Sequence, residues 1–301
     1  MPAAIGVMFP GQGAQRAGLG TAWRDDPAWS VVERAEETLQ RPLAGLLLDP
    51  AAALDRTEDA QLSVLLTSLM IWETVAPSLA PIVGFAGHSL GQVTALIAAG
   101  TLSFDDGIRL AARRAGHTQD AAERHPGQMV ALLGATLDQA RQLCQTDRTE
   151  CWLANDNAPG QVVVAGTPEA VADIVERAAS AGAGRATRLR VGGAFHTPLM
   201  AEAAAAFAQD LRTVPLSGCT APVVSNGDAL PYEDGEGWRH RLEEHLVGPV
   251  RWRESVEKLV AMGATELVEV GPGSVLTSLA RRIVPEVPVR DTESLLEGVP
   301  A

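Results

Sequence analysis

A serine flanked by glycines, Gly87-His88-Ser89-Leu90-Gly91, is the stretch of this chain whose residue types and spacing could do covalent chemistry. The Gly-x-Ser-x-Gly form lets a strand turn sharply into a helix and leaves the serine hydroxyl exposed at the turn. The glycines are needed because strand and helix pass too closely there for a β-carbon. The flanks supply that context: "PIVGFAG" reads as a short buried strand and "GQVTALIAAG" as a helix ended by Gly100. A serine hydroxyl is a weak nucleophile at neutral pH. It needs a base within hydrogen-bond reach and donors for the oxyanion it creates.

Six histidines could serve as that base. Neighbouring side chains diverge at an elbow, so His88 is poorly placed to take the proton of Ser89 and reads as lining the site. His117, His125, His240 and His245 lie in charged helical stretches and read as solvated surface. His196 stands in "VGGAFHTPLM", an irregular loop with two glycines and a Thr-Pro pair, where a histidine can be held facing a cleft. A second loop, "FPGQGAQ", follows the first strand, and its Gly-Gln-Gly lets backbone N–H groups approach a ligand. The amide of Gln12, with that of Leu90 just after the nucleophile, would complete an oxyanion hole in the way serine elbows usually do.

The elements that must position these residues follow from patterning. The chain has 301 residues, 46% hydrophobic and 20% charged, enough for one large domain or one domain with an insertion. It opens with the strand "AIGVMF". Helices follow over 27–40 and 61–79, the second amphipathic around Leu62, Leu65, Leu66, Leu69 and Trp72. After the elbow, Asp105 or Asp106 can cap a helix running to about Glu123. Strands alternating with helices predict a largely parallel α/β sheet. Over residues 127–192 the order becomes β-α-β-β-α-β: "QMVALLG", a helix capped by Thr136, "ECWLAN", the turn "NDNAPG", "QVVVAG", a helix begun by Thr167-Pro168-Glu169, and "RATRLRV". That order is the ferredoxin-like one. The α/β pattern then resumes with "APVVSN", "TELVEV" and "SVLTSLARRI", which makes 127–192 an insertion between 1–126 and 193–301.

Composition excludes several classes. No apolar run is long enough for a transmembrane helix, and the N-terminus lacks the basic and apolar segments of a signal peptide. Cys144, Cys151 and Cys219 have no metal or redox spacing, so a cytoplasmic protein without a metal is expected. A net charge of −13 argues against nucleic-acid binding.

Five ordered stretches, "FPGQGAQ", "GHSLG", "NDNAPGQVVVAG", "GAFHTPLM" and "ELVEVGPGSVLTSLARRI", span nearly the whole chain. Together they resemble the malonyl-CoA:acyl carrier protein transacylase family, which includes the acyltransferase domains of fatty acid and polyketide synthases. The resemblance implies a large α/β-hydrolase-like subdomain carrying the ferredoxin-like one, a Ser89–His196 dyad, and an oxyanion hole from the Gln12 and Leu90 amides. It also implies that a main-chain carbonyl orients the histidine, and the matching segment "GPVRW" offers that of Arg251. The family pattern Arg-Gly-x-x-Met-Gln reads here Arg114-Ala115-Gly116-His117-Thr118-Gln119, which makes Arg114 the ligand of the malonyl carboxylate. A guanidinium suits that task because two parallel N–H donors match two carboxylate oxygens. Arg113 lies about 100° away around the helix and is left to solvent or an ion pair. His88, Phe195 and Asn157 are the other expected substrate contacts.

Three positions depart from the pattern: Ala115 replaces a glycine, Thr118 a methionine and Gln92 a glutamate. The first two lie near the expected acyl cleft and would admit a longer group, whereas Phe195 before His196 resembles the malonyl type. Malonyl is the expected group, with a substituted malonyl as the alternative; transfer of an unusual acyl group between carrier proteins and a carrier-protein thioesterase on the same scaffold are the rival readings. No cofactor is implied beyond the coenzyme A thioester substrate and the partner's phosphopantetheine. The chain is expected to act as a monomer. A carrier protein, itself acidic, would have to dock on local basic patches, for which Arg188 and Arg190, near Arg185, and Arg281 with Arg282 are candidates.

Overall fold

The computed structural model describes residues 3–52, 54, 56–79, 81–145 and 150–297. The apolar opening strand is β1 (Ile5–Phe9), followed by α1 (Ser30–Leu39), α2 (Ala44–Leu48) and α3 (Thr57–Val75). β2 (Ile82–Gly87) runs into α4 (Gly91–Ala98) and then α5 (Phe104–Arg124). Next come β3 (Gln128–Gly134), α6 (Leu137–Cys144), β4 (Cys151–Ala158), β5 (Gln161–Gly166), α7 (Pro168–Arg177) and β6 (Gly184–Arg188). The chain closes with α8 (Ala201–Leu211), β7 (Val223–Val224), β8 (Pro231–Tyr232), α9 (Gly235–Glu244), α10 (Trp252–Ala261), β9 (Glu266–Glu269), α11 (Val275–Ile283), β10 (Val289–Arg290) and α12 (Thr292–Leu296).

Two sheets result, so the molecule is mixed α/β. The larger has the order β10-β9-β1-β2-β7-β8 and is parallel except for β8. The smaller has the order β4-β5-β3-β6, all antiparallel. In the larger sheet Phe9 pairs with Gly87 and Met8 with Glu269, so the loops after β1, β2 and β9 leave from one edge. Ligands bind at that carboxyl edge in open α/β sheets. One face of the smaller sheet packs on α6 and α7 around Val130, Leu132, Val162, Val164, Val171 and Ile174. Its other face presents Met129, Ala131 and Val163 to a cavity.

The two sheets are tied together beyond their chain connections. Asp156 N donates to Val250 O at 2.9 Å, and Val250 N to Ala154 O at 2.9 Å. Arg253 reaches Asp156 Oδ2 at 2.7 Å, and Arg282 donates to Pro159 O at 2.5 Å and Gln161 Oε1 at 2.6 Å.

Several elements differ from expectation for local reasons. Ser103, not Asp105 or Asp106, caps α5, its hydroxyl accepting from Asp106 N at 3.1 Å. α3 is buried on nearly all sides rather than amphipathic. Ser63, Thr67 and Thr74 return their hydroxyls to carbonyls three or four residues back, which lets polar residues sit inside. β4 runs through Ala158 across two register shifts, so Asp156, Asn157 and Ala158 are strand residues, not turn residues. β6 ends at Arg188, so Arg190 lies beyond the strand and the alternation does not extend to it.

Candidate active site

The elbow is close-packed backbone. A β-carbon on Gly87 would lie 1.8 Å from Gly91 O, and one on Gly91 would lie 2.1 Å from Phe9 O. Ser89 itself takes φ +54°, a left-handed conformation costly for a residue with a side chain. The Ser89 amide is held there by Asn226 Oδ1 at 2.9 Å, while Asn226 Nδ2 donates to Gly87 O at 2.8 Å. The loop after β1 lies directly against the turn: a β-carbon on Gly11 would meet His88 O at 2.3 Å and Leu90 N at 3.5 Å. The amides of Gln12 and Leu90 donate no hydrogen bond among the described residues. Both residues line a cavity of about 500 Å³ that also holds Ser89 and His196.

His196 Nε2 is 2.8 Å from Ser89 Oγ. Its backbone is also left-handed, with φ +62°, in a loop fixed by the Thr197 hydroxyl donating to Ala194 O at 2.6 Å. His196 Nδ1 lies 3.0 Å from His245 O and 3.2 Å from Gly248 O. Two carbonyls therefore require the proton on Nδ1 and leave the Nε2 lone pair for Ser89. This corrects the expectation for Arg251, whose carbonyl accepts from Ser255 N and caps α10. The turn ending at Gly248 brings the carbonyls of His245 and Gly248 around instead. Burial and the nearby Arg114 cation lower the His196 pKa to about 3, so the imidazole is neutral and ready to accept a proton.

His245 is a second correction. It is 4% exposed rather than solvated, because α9 ends at Glu244 and the chain turns inward. Its Nε2 is 3.1 Å from Asn226 Oδ1, and its ring centroid is 5.3 Å from that of His196. Burial, then Arg114, His196 and His88, hold its pKa well below the usual range. His117 faces Asp210 at 2.7 Å, His125 faces Glu202 at 3.3 Å and His240 faces Glu244 at 3.6 Å.

Arg114 is 3% exposed, and its Nη2 is 3.2 Å from Ser89 Oγ. Its Nη1 donates to Gln61 Oε1 at 2.5 Å, whereas its buried Nε has no partner among the described residues. Desolvation lowers its pKa to about 10, which leaves it cationic at neutral pH. Arg113 points away and pairs with Asp210 at 2.9 Å. Thr118 lines the cavity, returns its hydroxyl to Arg114 O at 3.0 Å and faces Gln61 Nε2 at 3.3 Å. His88 turns from the serine: its Nε2 meets Asn157 Oδ1 at 2.9 Å and its ring packs edgewise on Trp252. Burial lowers the His88 pKa. His88, Asn157 and Phe195 all line the cavity.

Gln61, Asn226 and His245 were not anticipated. A glutamine inside the apolar run of α3 and an asparagine closing "APVVSN" were available hints, because a polar side chain there must find a buried partner. Gln92 is buried and accepts from Asn226 N at 2.7 Å. Arg190 lines the cavity, Arg188 donates to Gln128 Oε1, and Arg281 donates to Val289 O at 3.1 Å. All four candidate docking arginines, Arg188, Arg190, Arg281 and Arg282, are exposed. Among the described residues no cluster of three His, Cys, Asp or Glu side chains could hold a metal ion. No described helix is long and apolar enough to cross a membrane.

A serine on a strained elbow, hydrogen-bonded to a buried neutral imidazole beside open backbone amides, is the arrangement of serine-based acyl transfer. The chain matches the acyl transferase domain family over residues 7–295 and belongs to it. It is 37% identical over 294 residues to the malonyl CoA-acyl carrier protein transacylase of Synechocystis, covering 96% of each chain. It is 35% identical to that of Bacillus subtilis, covering 97% of this chain and 95% of the relative. An acyl-carrier-protein-S-malonyltransferase from Bartonella henselae superposes with a TM-score of 0.92 at 33% identity, covering 98% of this chain and 99% of the other. A malonyl-transacylase solved in complex with its type II PKS acyl-carrier protein superposes at 0.91 and 34%, covering 99% of each chain.

Proposed function

We propose that this protein moves a malonyl group from coenzyme A to the phosphopantetheine thiol of an acyl carrier protein through an ester on Ser89. The observation that carries the reading is the buried Arg114 guanidinium 3.2 Å from Ser89 Oγ, a cation placed where a malonyl carboxylate would lie beside the nucleophile. His196 Nε2 removes the proton of Ser89 as Oγ adds to the thioester carbonyl. The Gln12 and Leu90 amides hold the oxyanion. On collapse, coenzyme A leaves as its thiol with the proton from His196, and the ester remains with its carboxylate on Arg114. The carrier thiol then repeats the sequence with His196 again as base. A carboxylate paired with Arg114 removes part of the repulsion that depresses His196, so the base strengthens when an acidic acyl group is bound.

In this reading residues 1–126 and 193–301 form an α/β-hydrolase-like subdomain and 127–192 a ferredoxin-like one; residues 1–2, 53, 55, 80, 146–149 and 298–301 lie outside those described. The smaller sheet's order β4-β5-β3-β6 supports that assignment. His88, Asn157 and Phe195 shape the acyl and pantetheine channel. Arg188, Arg190, Arg281 and Arg282 contribute to carrier docking, supported by their exposure around the cavity that Arg190 lines. The setting is cytoplasmic, and the protein works as a monomer.

Intact-mass spectrometry after incubation with malonyl-CoA tests the proposal. One malonyl unit is expected on the wild type and on Arg113→Ala, and none on Ser89→Ala. An undiminished adduct on Ser89→Ala would reject the serine ester. Charge reversal at Arg188 or Arg282 is expected to slow transfer to the carrier while leaving self-acylation intact; equal loss in both steps would remove those residues from docking.

A further inference from the structure

His245 occupies a position that the dyad alone does not require. Its backbone carbonyl accepts from His196 Nδ1 at 3.0 Å, while its ring Nε2 is 3.1 Å from Asn226 Oδ1. The amide of Asn226 can have only one orientation. Nδ2 faces the Gly87 carbonyl at 2.8 Å, and Oδ1 faces the Ser89 N–H at 2.9 Å. An oxygen acceptor on Asn226 obliges His245 Nε2 to carry the proton, and His245 Nδ1, buried and without a partner among the described residues, carries none. Hydrogen bonds thus close a circuit. Ser89 Oγ–H points to His196 Nε2, His196 Nδ1–H to His245 O, His245 Nε2–H to Asn226 Oδ1, and Ser89 N–H to the same Oδ1.

The circuit joins two pieces of chain that the fold brings in separately. Ser89 belongs to the turn after β2, and His196 to the loop before α8. Both take left-handed backbone, at φ +54° and +62°, conformations that persist only when their surroundings over-determine them. Asn226 is anchored in turn from the other side, since its N–H donates to Gln92 Oε1 at 2.7 Å and its carbonyl accepts from Arg251 N at 2.8 Å. Among the described residues the ring of His245 is the side-chain link between this anchored asparagine and the segment that orients the base, beside the main-chain bond from Arg251 N.

We infer that His245 is a positioning residue that holds nucleophile and base in one frame by donating from Nε2 to Asn226 while its main chain orients His196. The inference rests on the Ser89–His196 reading of the site. Its role is in reaction geometry, not in substrate affinity, because the ring does not line the cavity.

Glutamine and methionine at 245 test this, being matched in shape and differing in the N–H donor. In single-turnover acylation by malonyl-CoA, His245→Met is expected to lose on the order of 100-fold in rate, the scale of a small misplacement of reacting groups, with little change in KM. His245→Gln is expected to return to within about fivefold of the wild type, as donor restoration recovers most of a geometric loss. Equal losses in both variants, or a wild-type rate in His245→Met, would overturn the inference. Should His245→Met not fold, ¹⁵N-histidine NMR of the wild type decides: a proton on His245 Nε2 is expected, and one on Nδ1 would overturn it. Wild-type protein that gains no malonyl adduct would overturn the Ser89–His196 reading itself; a normal wild-type adduct with an unimpaired methionine variant would overturn only the role of His245.

Discussion

Arg114 brings a positive charge to within 3.2 Å of the hydroxyl that loses its proton in the proposed reaction, and its fork is already half engaged by Gln61. A lysine has no second parallel donor, so it could meet the acyl carboxylate or Gln61 but not both in the same geometry. Arg114→Lys is therefore expected to reduce malonyl loading about 10- to 100-fold, the usual effect of losing a charge-assisted bond, while acetyl loading changes less. Equal loss of both would place Arg114 in the fold and not at the carboxylate. Thr118 is small and faces the same cavity, beside Gln61. Thr118→Met is expected to lower the ratio of methylmalonyl to malonyl loading by at least about tenfold, the discrimination one methyl group commonly carries. Competition between the two thioesters, read by adduct mass, checks it. At this scale the sequence was informative where a residue stands in a short, sterically demanding pattern, as Ser89 does. It held only a hint of Asn226 and misplaced His245 on the surface, because their roles arise from contacts across 137 and 49 positions of chain.

The elements around the elbow are held by main chain against main chain. A β-carbon at Gly91 would collide with Phe9 O at 2.1 Å, and no side-chain rotation relieves that. Gly100 differs from Gly91 in having positive φ, +80°, and open space around it. Gly91→Ala is thus expected to destabilise by more than about 4 kcal/mol or to give no soluble protein, and Gly100→Ala to cost only about 1 kcal/mol. Urea unfolding of the two variants compares them, and similar midpoints would show the elbow to be more yielding than its packing implies. Strand and helix identities were legible because apolar period and glycine position are local properties. The ends of elements were not: β4 continues through "NDNA" because its polar side chains find partners, Asn157 meeting His88 on the cavity side and Asp156 meeting Arg253 outside the cavity lining. The burial of α3 on nearly all sides likewise depends on what surrounds it.

Across the whole molecule, buried ionisable groups set the response to acid. His88, His196 and His245 are all depressed from the usual value by burial, so each binds a proton more readily when the chain unfolds. Folding stability should then fall as pH drops below about 6.5, by up to about 1.4 kcal/mol per pH unit for each such group. Glu269 opposes them. Its carboxyl accepts from Leu276 N and Thr277 N at 3.1 and 2.6 Å, yet burial raises its pKa to about 7, so it favours the folded state as pH falls from about 7 toward 4.5. Three histidines outweigh one carboxyl, and the unfolding midpoint is expected to decline from pH 7 to pH 5; a flat or rising midpoint would contradict the buried neutral state of the histidines. The ties between the two sheets have a consequence in time. Arg253 on Asp156 and Arg282 on the turn at Pro159 fasten the smaller sheet over the serine. A molecule that stores an activated ester between two visitors works as a reservoir, and a reservoir is judged by its leak. If the two clasps keep water from the ester proposed on Ser89, Arg253→Ala with Arg282→Ala should shorten the life of that ester, seen as faster release of free malonate when no acceptor is present; an unchanged release rate would deny the clasps that role.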